Sequence, residues 1–287
     1  MDITIKCGAL TAVIDTHGAE LKSVKNEKTG IEYIWQGDPA IWSDHAPFLF
    51  PVVARQLDDK YEMDGVTRTM PMHGFAKDSD FEVKERSESS VTFVMHENEQ
   101  TLQWYPYRFT LETVYELKED GISAAHRLTN ENGEKMFFSM GEHPGFNAPM
   151  VLGDTLEDYY LEFSCEENSE RWYLDDEIIC GSEPYLNGKI LKVDKHTFDR
   201  GALIFKGLKS EYVTLRSRNH NHSVTMDLRD WYYLGIWAKP AAPYVCIEPW
   251  NGLASSKWSS HNIWEKEGIR SLDAGDTQVY TMNITFA

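Results

Sequence analysis

The segment RFTLETVYELKEDGISAAHRL, from Arg108 to Leu128, decides the fold. Its first half alternates with a period of two, and one face carries Phe109, Leu111, Thr113, Tyr115 and Leu117. Such alternation is typical of a half-buried β-strand. The dipeptide Asp120-Gly121 then favours a tight turn into a second strand, Ile122 to Leu128. The segment therefore predicts an antiparallel β-hairpin.

The same pattern recurs along the chain. Asp64-Gly65 joins Lys60–Met63 to Val66–Met70, and alternation returns over 91–95 and 280–286. We find no amphipathic helical stripe with caps. Many short strands separated by turn signals predict an all-β sandwich or barrel. Because no repeat or linker divides the chain, residues 1–287 are expected to form a single domain. The most polar run, Glu166 to Asp176, is interpreted as a solvated excursion from it.

Composition and charge exclude several classes of function. The formal net charge of −18, with no Lys/Arg cluster, argues against nucleic acid as a partner. Four scattered cysteines without CxxC spacing indicate neither a disulfide framework nor a zinc site. We see no signal-peptide layout and no apolar run near the ~20 residues that span a bilayer, so no membrane partner is expected. A cytoplasmic protein is the expectation.

Three distant segments set an ionisable residue into a Pro/Gly-rich frame after an apolar run. They are Pro71-Met72-His73-Gly74-Phe75, Gly141-Glu142-His143-Pro144-Gly145-Phe146 and Cys246-Ile247-Glu248-Pro249-Trp250. A residue before proline is confined to extended backbone, and proline cannot donate to a sheet ladder. Each strand is therefore expected to stop pairing there and to present its last side chain to a cavity. Each segment alone could be an ordinary strand-terminating turn.

Two imidazoles and a carboxylate together favour a proton-transfer site. A glutamate such as Glu248, with an ordinary pKa of about 4.3, can act as a base at neutral pH. His143 and His73 titrate in the range where imidazole donates protons. Arg55, which follows the apolar stretch Phe48–Ala54, must pair either with an internal carboxylate or with a ligand oxygen.

The ordered set of motifs resembles the aldose 1-epimerase (galactose mutarotase-like) family, in the branch of LacX-like proteins and hexose-6-phosphate 1-epimerases. The similar stretches are Pro47-Phe48-Leu49-Phe50-Pro51 leading to Arg55, the three segments above, and the C-terminal run 268–276. They cover the chain nearly from end to end. The resemblance implies a large antiparallel β-supersandwich that interconverts the α and β anomers of a sugar with neither metal nor organic cofactor.

The resemblance also implies roles for individual residues. Glu248 would be the general base on the anomeric hydroxyl, and His143 the general acid on the ring oxygen. His73 would hydrogen-bond the sugar. Arg55 would hold hydroxyls or a phosphate, and Lys77 could receive a phosphate too. One or two tryptophans, Trp237 among them, would face the apolar side of the ring.

The chain departs from the family pattern at several positions. Ala54 precedes Arg55 where many galactose-type members carry a polar residue, and Lys77 stands where phosphosugar-specific members often carry arginine. No motif places the aspartate expected to bind sugar hydroxyls, so Asp227 and Asp230 both remain candidates. The identity of the sugar, free or 6-phosphorylated, is left open.

Three alternatives compete with an epimerase. A carbohydrate-binding protein without turnover could use the same polar groups and tryptophans. A metal site could use His73, His143 and Glu248, although they come without closely spaced ligand pairs. A glycoside hydrolase could pair Glu142 with Glu248, but strand alternation should turn Glu142 away from the face that His143 occupies.

Overall fold

Twenty-two β-strands dominate the structure, a computed structural model that describes residues 1–287. In chain order they are β1 Asp2–Cys7, β2 Leu10–Asp15, β3 Leu21–Asn26, β4 Phe48–Leu49, β5 Lys60–Met63, β6 Val66–Thr69, β7 Glu82–Arg86, β8 Ser90–His96, β9 Phe109–Leu117, β10 Gly121–Asn130, β11 Met136–Phe138, β12 Met140–Glu142, β13 Gly145–Asn147, β14 Tyr159–Asp175, β15 Ile178–Lys192, β16 Leu203–Lys206, β17 Tyr212–Ser217, β18 Ser223–Asp227, β19 Tyr233–Trp237, β20 Tyr244–Asn251, β21 Arg270–Leu272 and β22 Thr277–Phe286. The one α-helix, α1, spans Thr101–Trp104, and short 3-10 turns span Leu57–Asp59, Ala76–Asp78, Leu156–Asp158 and Ile263–Glu265.

The hairpin predicted for residues 108–128 forms. β9 pairs antiparallel with β10, and Leu117 lies opposite Ile122 across the turn. Every odd-numbered position of β9 is buried, because those side chains face the core. The second Asp-Gly turn also forms: Asp64 and Gly65, with φ of 53° and 73°, connect β5 to β6. Positive φ at both central residues suits the right-handed twist of a hairpin.

One sheet of fifteen strands organises the molecule. Its order is β4-β12-β20-β19-β16-β14-β17-β18-β22-β10-β9-β8-β7, with β13 also paired to β20 and β15 to β14. All the pairings in this sheet are antiparallel. A three-stranded sheet, β1-β2-β3, lies outside it. Seventy buried residues form one connected apolar core, so the all-β fold class is confirmed.

The strand that carries Glu248 does not stop at its proline. β20 continues through Pro249 to Asn251 and is paired with β19 from Cys246 to Trp250, so the expectation of an ended strand is wrong there. The reason lies on the other side of β20, where β12 and β13 leave a gap at His143-Pro144. The nitrogen of Pro249 faces that gap, where no ladder hydrogen bond is required of it.

The polar run Glu166–Asp176 is also not what the sequence suggested. All of it except Asp176 belongs to β14, which pairs with β15 to form a long hairpin interrupted by register shifts at 169–170 and 173–174. Partner strands and partial burial replace the predicted solvated excursion.

None of the helices is both long and apolar enough to span a lipid bilayer.

Candidate active site

Strand register sets an imidazole against a carboxylate. His143 lies between two glycines, of β12 and β13, that pair respectively with Trp250 and Cys246 of β20. His143 is therefore directly across from Glu248. The Nε2 atom of His143 is 3.1 Å from Oε2 of Glu248, with side chains 11% and 1% exposed. Two motifs about a hundred residues apart in sequence thus meet at the buried end of one cavity.

The buried carboxylate of Glu248 has no hydrogen bond. Its contact with His143 is close but not aligned as a hydrogen bond, and neither of its oxygens has another partner. Leaving a buried polar group unpaired is costly, and in native proteins such groups call for an explanation. A ligand that donates a hydroxyl hydrogen bond would supply the missing partner. Nδ1 of His143 is likewise buried without a partner.

Burial also perturbs the acid–base properties of this pair. Burial raises the pKa of Glu248 well above its usual range, and the negative charge of Glu177 raises it further. Burial, and then the charge of Lys77, lower the pKa of His143 to about 4. Both shifts favour uncharged side chains. Over a wide range of pH the two residues therefore hold a single proton between them.

A strained loop presents His73 to the same cavity. His73 and Gly74 both have left-handed backbone, with φ of 67° and 75°. A Cβ on Gly74 would lie 2.1 Å from the carbonyl oxygen of Phe50, so only glycine fits there. The backbone N–H of Ala54 donates to Nδ1 of His73 at 3.2 Å. Because Nδ1 accepts, Nε2 of the neutral ring carries the proton and can donate to a ligand.

Aromatic side chains enclose the imidazoles. The ring of Trp237 stands edge-on to His143 at 5.5 Å between centroids, and Trp42 lies 5.1 Å from the same ring. His73 is edge-on to His143 at 5.6 Å. Trp237 lines the cavity as expected, whereas Trp42 was not singled out by the sequence. Such apolar surfaces suit the carbon-bound hydrogens of a sugar ring.

Of the two expected cations, one lines the cavity. Lys77 does, with Nζ 3.0 Å from Asp78 and 4.0 Å from Asp44. Arg55 does not: its guanidinium binds Asp59 at 2.7 and 2.8 Å and Asp176 at 2.8 Å. Of the two partners foreseen for Arg55, internal carboxylates are the ones present. The contact of Arg55 with sugar hydroxyls or phosphate stays a prediction, and any such ligand would have to share the guanidinium with Asp59 and Asp176.

The candidate aspartates lie elsewhere. Asp227 ends β18, which pairs with β17 and β22, and its carboxylate accepts hydrogen bonds from Nε of Arg229 at 2.9 and 3.0 Å. Neither Asp227 nor Asp230 lines the cavity that holds His143 and Glu248. The expectation for Asp227 is wrong, because no local pattern in the sequence indicates that β18 lies five strands away from β20 in the sheet.

Acidic residues missed by the sequence analysis do line the cavity. They are Asp44 and Glu177, and Glu177 sits in the turn between β14 and β15. Glu177 follows directly on the run that was interpreted as solvated. Only the hairpin pattern of β14 and β15 could have indicated a turn there. That pattern does not show which part of the molecule the turn lies against.

Glu142 behaves as strand alternation predicted. It points away from the cavity and pairs with the fully buried His126, whose Nδ1 in turn contacts the Thr113 hydroxyl at 3.0 Å. Burial raises the pKa of Glu142, although His126 opposes the shift. The carboxylate pair that a glycoside hydrolase would need, Glu142 with Glu248, is therefore not assembled in one cavity.

Two of the cavity residues, together with the buried Cys246 behind them on β20, have the composition of a metal site. Ligand atoms of His143, Cys246 and Glu248 lie within 4.8 Å of one another, all buried. A thiolate, an imidazole and a carboxylate form a donor set that Zn²⁺ accepts. The set that the sequence offered as an alternative to an epimerase site contained His73 where this group contains Cys246.

The chain is similar to known proteins over its whole length. The model of the aldose 1-epimerase family matches residues 1–256, and the chain belongs to that family. It is 35% identical over 300 residues to the plasmid-encoded Protein LacX of Lactococcus lactis subsp. lactis, covering 99% of both chains. The predicted LacX-like membership of an aldose 1-epimerase family is confirmed.

Solved structures agree with the assignment of the fold. A galactose mutarotase related enzyme from Lactobacillus acidophilus is 33% identical and superposes with a TM-score of 0.96, covering 100% of this chain and 97% of its own. A galactose mutarotase-like protein from Lactobacillus casei is also 33% identical, with a TM-score of 0.92 over 100% of both chains. The predicted galactose mutarotase-like architecture is confirmed.

Proposed function

We propose that this protein is an aldose 1-epimerase that interconverts the α and β anomers of a hexose by general acid–base catalysis without a cofactor. The observation that carries the proposal is the 3.1 Å contact between His143 and Glu248 at the buried end of the cavity. Membership of the aldose 1-epimerase family supports a sugar-directed role. The remaining steps follow from the chemistry of the anomeric carbon.

The reaction needs a base and an acid side by side. The anomeric carbon C1 bears both the hydroxyl oxygen O1 and the ring oxygen O5. Glu248 takes the O1 proton, the C1–O1 bond becomes a carbonyl, and the C1–O5 bond breaks with its electron pair on O5. His143 gives O5 a proton, and the open aldehyde turns about C1–C2. Closure on the other face returns both protons and yields the other anomer.

The shared proton of the pair fits this cycle. With one proton between them, the pair can be uncharged, with protonated Glu248, or charged, with protonated His143. Both arrangements contain the same number of protons, so the reactive charged form requires no proton from solvent. Burial favours the uncharged form in the empty site. A bound sugar that donates O1–H to Glu248 stabilises the carboxylate, since hydrogen bonds to the charged form favour it.

Other cavity residues have supporting roles in this proposal. His73 donates its Nε2–H toward O5 and stabilises negative charge that develops there, which follows from the hydrogen bond at Nδ1. Trp237 and Trp42 pack against the ring. Positioned acid–base catalysis of this kind contributes roughly 10²–10⁴-fold to the rate.

A non-catalytic carbohydrate-binding protein of the same fold is the second candidate. The unpaired oxygens of Glu248 and the tryptophans beside His143 would bind a sugar equally well without turnover. Measurement of anomer exchange separates the two, because a binding protein has no exchange to lose.

The decisive experiment is NMR exchange spectroscopy of anomers with a panel of free and 6-phosphorylated hexoses. The native protein should accelerate exchange of at least one sugar, and Glu248→Gln should reduce kcat by about 10²–10⁴-fold. Sugar affinity of E248Q should remain within several-fold of the native value. Binding without acceleration for every sugar would favour the carbohydrate-binding protein instead.

Metal analysis of the same samples tests the proposal that catalysis needs no cofactor. Activity should survive exhaustive chelation. Stoichiometric zinc bound through His143, Cys246 and Glu248, together with loss of exchange on its removal, would overturn that part of the proposal.

A further inference from the structure

A carboxylate from a distant hairpin reaches the cavity. β14 and β15 are joined by a two-residue turn, Asp176-Glu177, whose φ angles are 52° and 60°. This left-handed pair matches the tight turn that antiparallel hairpins favour. The side chains of Leu174 and Glu177 line the cavity with His143 and Glu248, so the hairpin end forms part of its wall.

The hairpin end is fixed to the rest of the molecule. Asp176 binds Arg55 at 2.8 Å, and Asp175 binds Nζ of Lys257 at 2.6 Å. The backbone N–H of Ile179 donates to the carbonyl of Ser255 at 2.9 Å. These contacts come from different segments of the chain, and together they hold the turn at the edge of the cavity.

Glu177 is the unpaired member of this acidic run. Asp175 and Asp176 each have a cation, whereas Glu177 has no salt bridge and no side-chain hydrogen bond anywhere in the described chain. Burial, followed by the charge of Asp176, raises the pKa of Glu177, and Glu177 in turn raises the pKa of Glu248. Glu177 is exposed to solvent whereas Glu248 is buried, and neither carboxylate has a hydrogen-bond partner within the protein, so both can accept from a ligand.

The charges around the cavity are unbalanced toward negative. Because burial keeps Glu248 uncharged in the empty site, the charged acidic residues that line it are Asp44 and Glu177, against the single cation Lys77. Lys77 is already shared between Asp44 and Asp78, at 4.0 and 3.0 Å. Arg55, the other cation nearby, is occupied by two carboxylates. A phosphate dianion would thus meet like charges without a free cation to receive it.

We propose that Glu177 accepts hydrogen bonds from sugar hydroxyls and, with Asp44, makes the site select uncharged hexoses over their 6-phosphates. This inference rests on the proposed function and specifies its substrate class. Ionised carboxylates accept hydroxyl donors strongly, and the same charge repels phosphate. Glu177 thereby takes the hydroxyl-binding role that the sequence analysis sought in Asp227.

The test compares Glu177→Gln with a matched control on the same hairpin. Gln keeps the size of the side chain and removes the charge. The control is Glu170→Gln, because Glu170 lies on β14 outside the cavity and bonds only Ser182. For each protein, kcat and KM are measured by anomer exchange, and Kd by tryptophan fluorescence, for free glucose and galactose and their 6-phosphates.

The native protein should show at least a tenfold higher kcat/KM for a free hexose than for its 6-phosphate. E177Q should raise KM and Kd for the free hexose about tenfold, with a smaller fall in kcat, as expected for a lost charge-assisted hydrogen bond. E177Q should also lower the ratio of kcat/KM for the free hexose to kcat/KM for its 6-phosphate. E170Q should leave all of these values unchanged.

Two results would overturn the inference while leaving the epimerase proposal intact. One is a native preference for 6-phosphates. The other is unchanged affinity and selectivity in E177Q. If no sugar shows exchange, the proposed function fails, but the fluorescence affinities still decide whether Glu177 binds hydroxyls. The two proposals are therefore tested separately.

Discussion

His143 and Glu248 are directly opposite one another on a broken antiparallel strand pair, with 3.1 Å between Nε2 and Oε2. Their separation is set by backbone pairing on both sides of the break. It does not depend on the conformation of a surface loop. This arrangement holds an acid and a base within reach of two oxygens on one carbon, and it leads to the first two predictions.

Replacement of His143 by Asn should reduce kcat for anomer exchange by about 10²–10⁴-fold, because the proton donor for the ring oxygen is lost. His96→Asn is the matched control, since His96 is an exposed histidine at the end of β8. Its activity should equal that of the native protein. Exchange at native rate in H143N would exclude His143 as the acid.

The pH profile of kcat/KM should have its acid limb near pH 4. Burial lowers the pKa of His143 to about 4 and raises that of Glu248, so the pair keeps one proton between these values. Below about pH 4 the pair takes up a second proton and the base is lost. Above the raised pKa of Glu248 the last proton leaves and the acid is lost. An acid limb at pH 6.5, the value of an ordinary imidazole, would contradict this assignment.

The buried pair of His126 and Glu142 should be important for stability. Both side chains are fully buried, and Phe48 stacks on the His126 ring at 4.1 Å. His126→Leu strands the carboxylate, and we expect the free energy of unfolding to fall by about 3–5 kcal/mol. The double variant H126L/E142L should recover much of this loss in urea unfolding. A double variant as unstable as H126L would show that lost packing, not the unpaired charge, is responsible.

Lys266 should make stability depend on pH. It is 7% exposed, its Nζ donates to the carbonyl of Leu253, and burial lowers its pKa from 10.5 to about 7. Between these values the unfolded chain binds a proton that the folded protein does not, so stability rises with pH. Its contribution is at most about 1.4 kcal/mol per pH unit. In Lys266→Met, the free energy of unfolding should rise less steeply from pH 7 to 9 than it does in the native protein. Identical slopes in the two proteins would refute the assignment.

Loss of the Arg55 guanidinium should loosen the turn at Glu177. Arg55→Met removes the ion pair with Asp176. Partly exposed ion pairs of this kind contribute only a small stabilising free energy. We therefore expect amide hydrogen exchange at the turn to accelerate roughly two- to fivefold, with a similar rise in KM for the sugar. Arg218→Met is the control, since Arg218 is exposed and its side chain has no ion pair. If amide hydrogen exchange at the turn is unchanged in R55M, then the contacts with Lys257 and Ser255 are enough to hold the turn in place.

Much of the fold could be predicted because its signals are local. The alternation of β9 and the Asp-Gly turns at 64–65 and 120–121 act over a few residues, and each formed where expected. The same holds for Glu142, whose orientation followed from its adjacency to His143. Local rules failed at Pro249, because whether proline ends a strand depends on which strand lies beside it.

The site could be predicted only in part, because no local sequence pattern indicates the order of the strands in the sheet. Nothing in the sequence shows that β12 and β13 both pair with β20, which is what brings His143 to Glu248. For the same reason Asp227 was assigned to the wrong place, and Glu177 was missed at the end of a polar strand. Arg55 was correctly expected to need a partner; one of its two partners, Asp59, is local in sequence, whereas the other, Asp176, comes from that same distant hairpin.

The long hairpin of β14 and β15 separates two properties that evolution or design can change independently. His143 and Glu248 are positioned by paired strands of the large sheet, whereas Glu177 lies at the end of a hairpin arm that is held in place by Arg55 and Lys257. Each residue added to or removed from both strands would shift the turn by about 3.3 Å along the arm. Lengthening, trimming or exchanging this arm could therefore retarget the molecule to other ligands while the proton-transfer pair stays untouched.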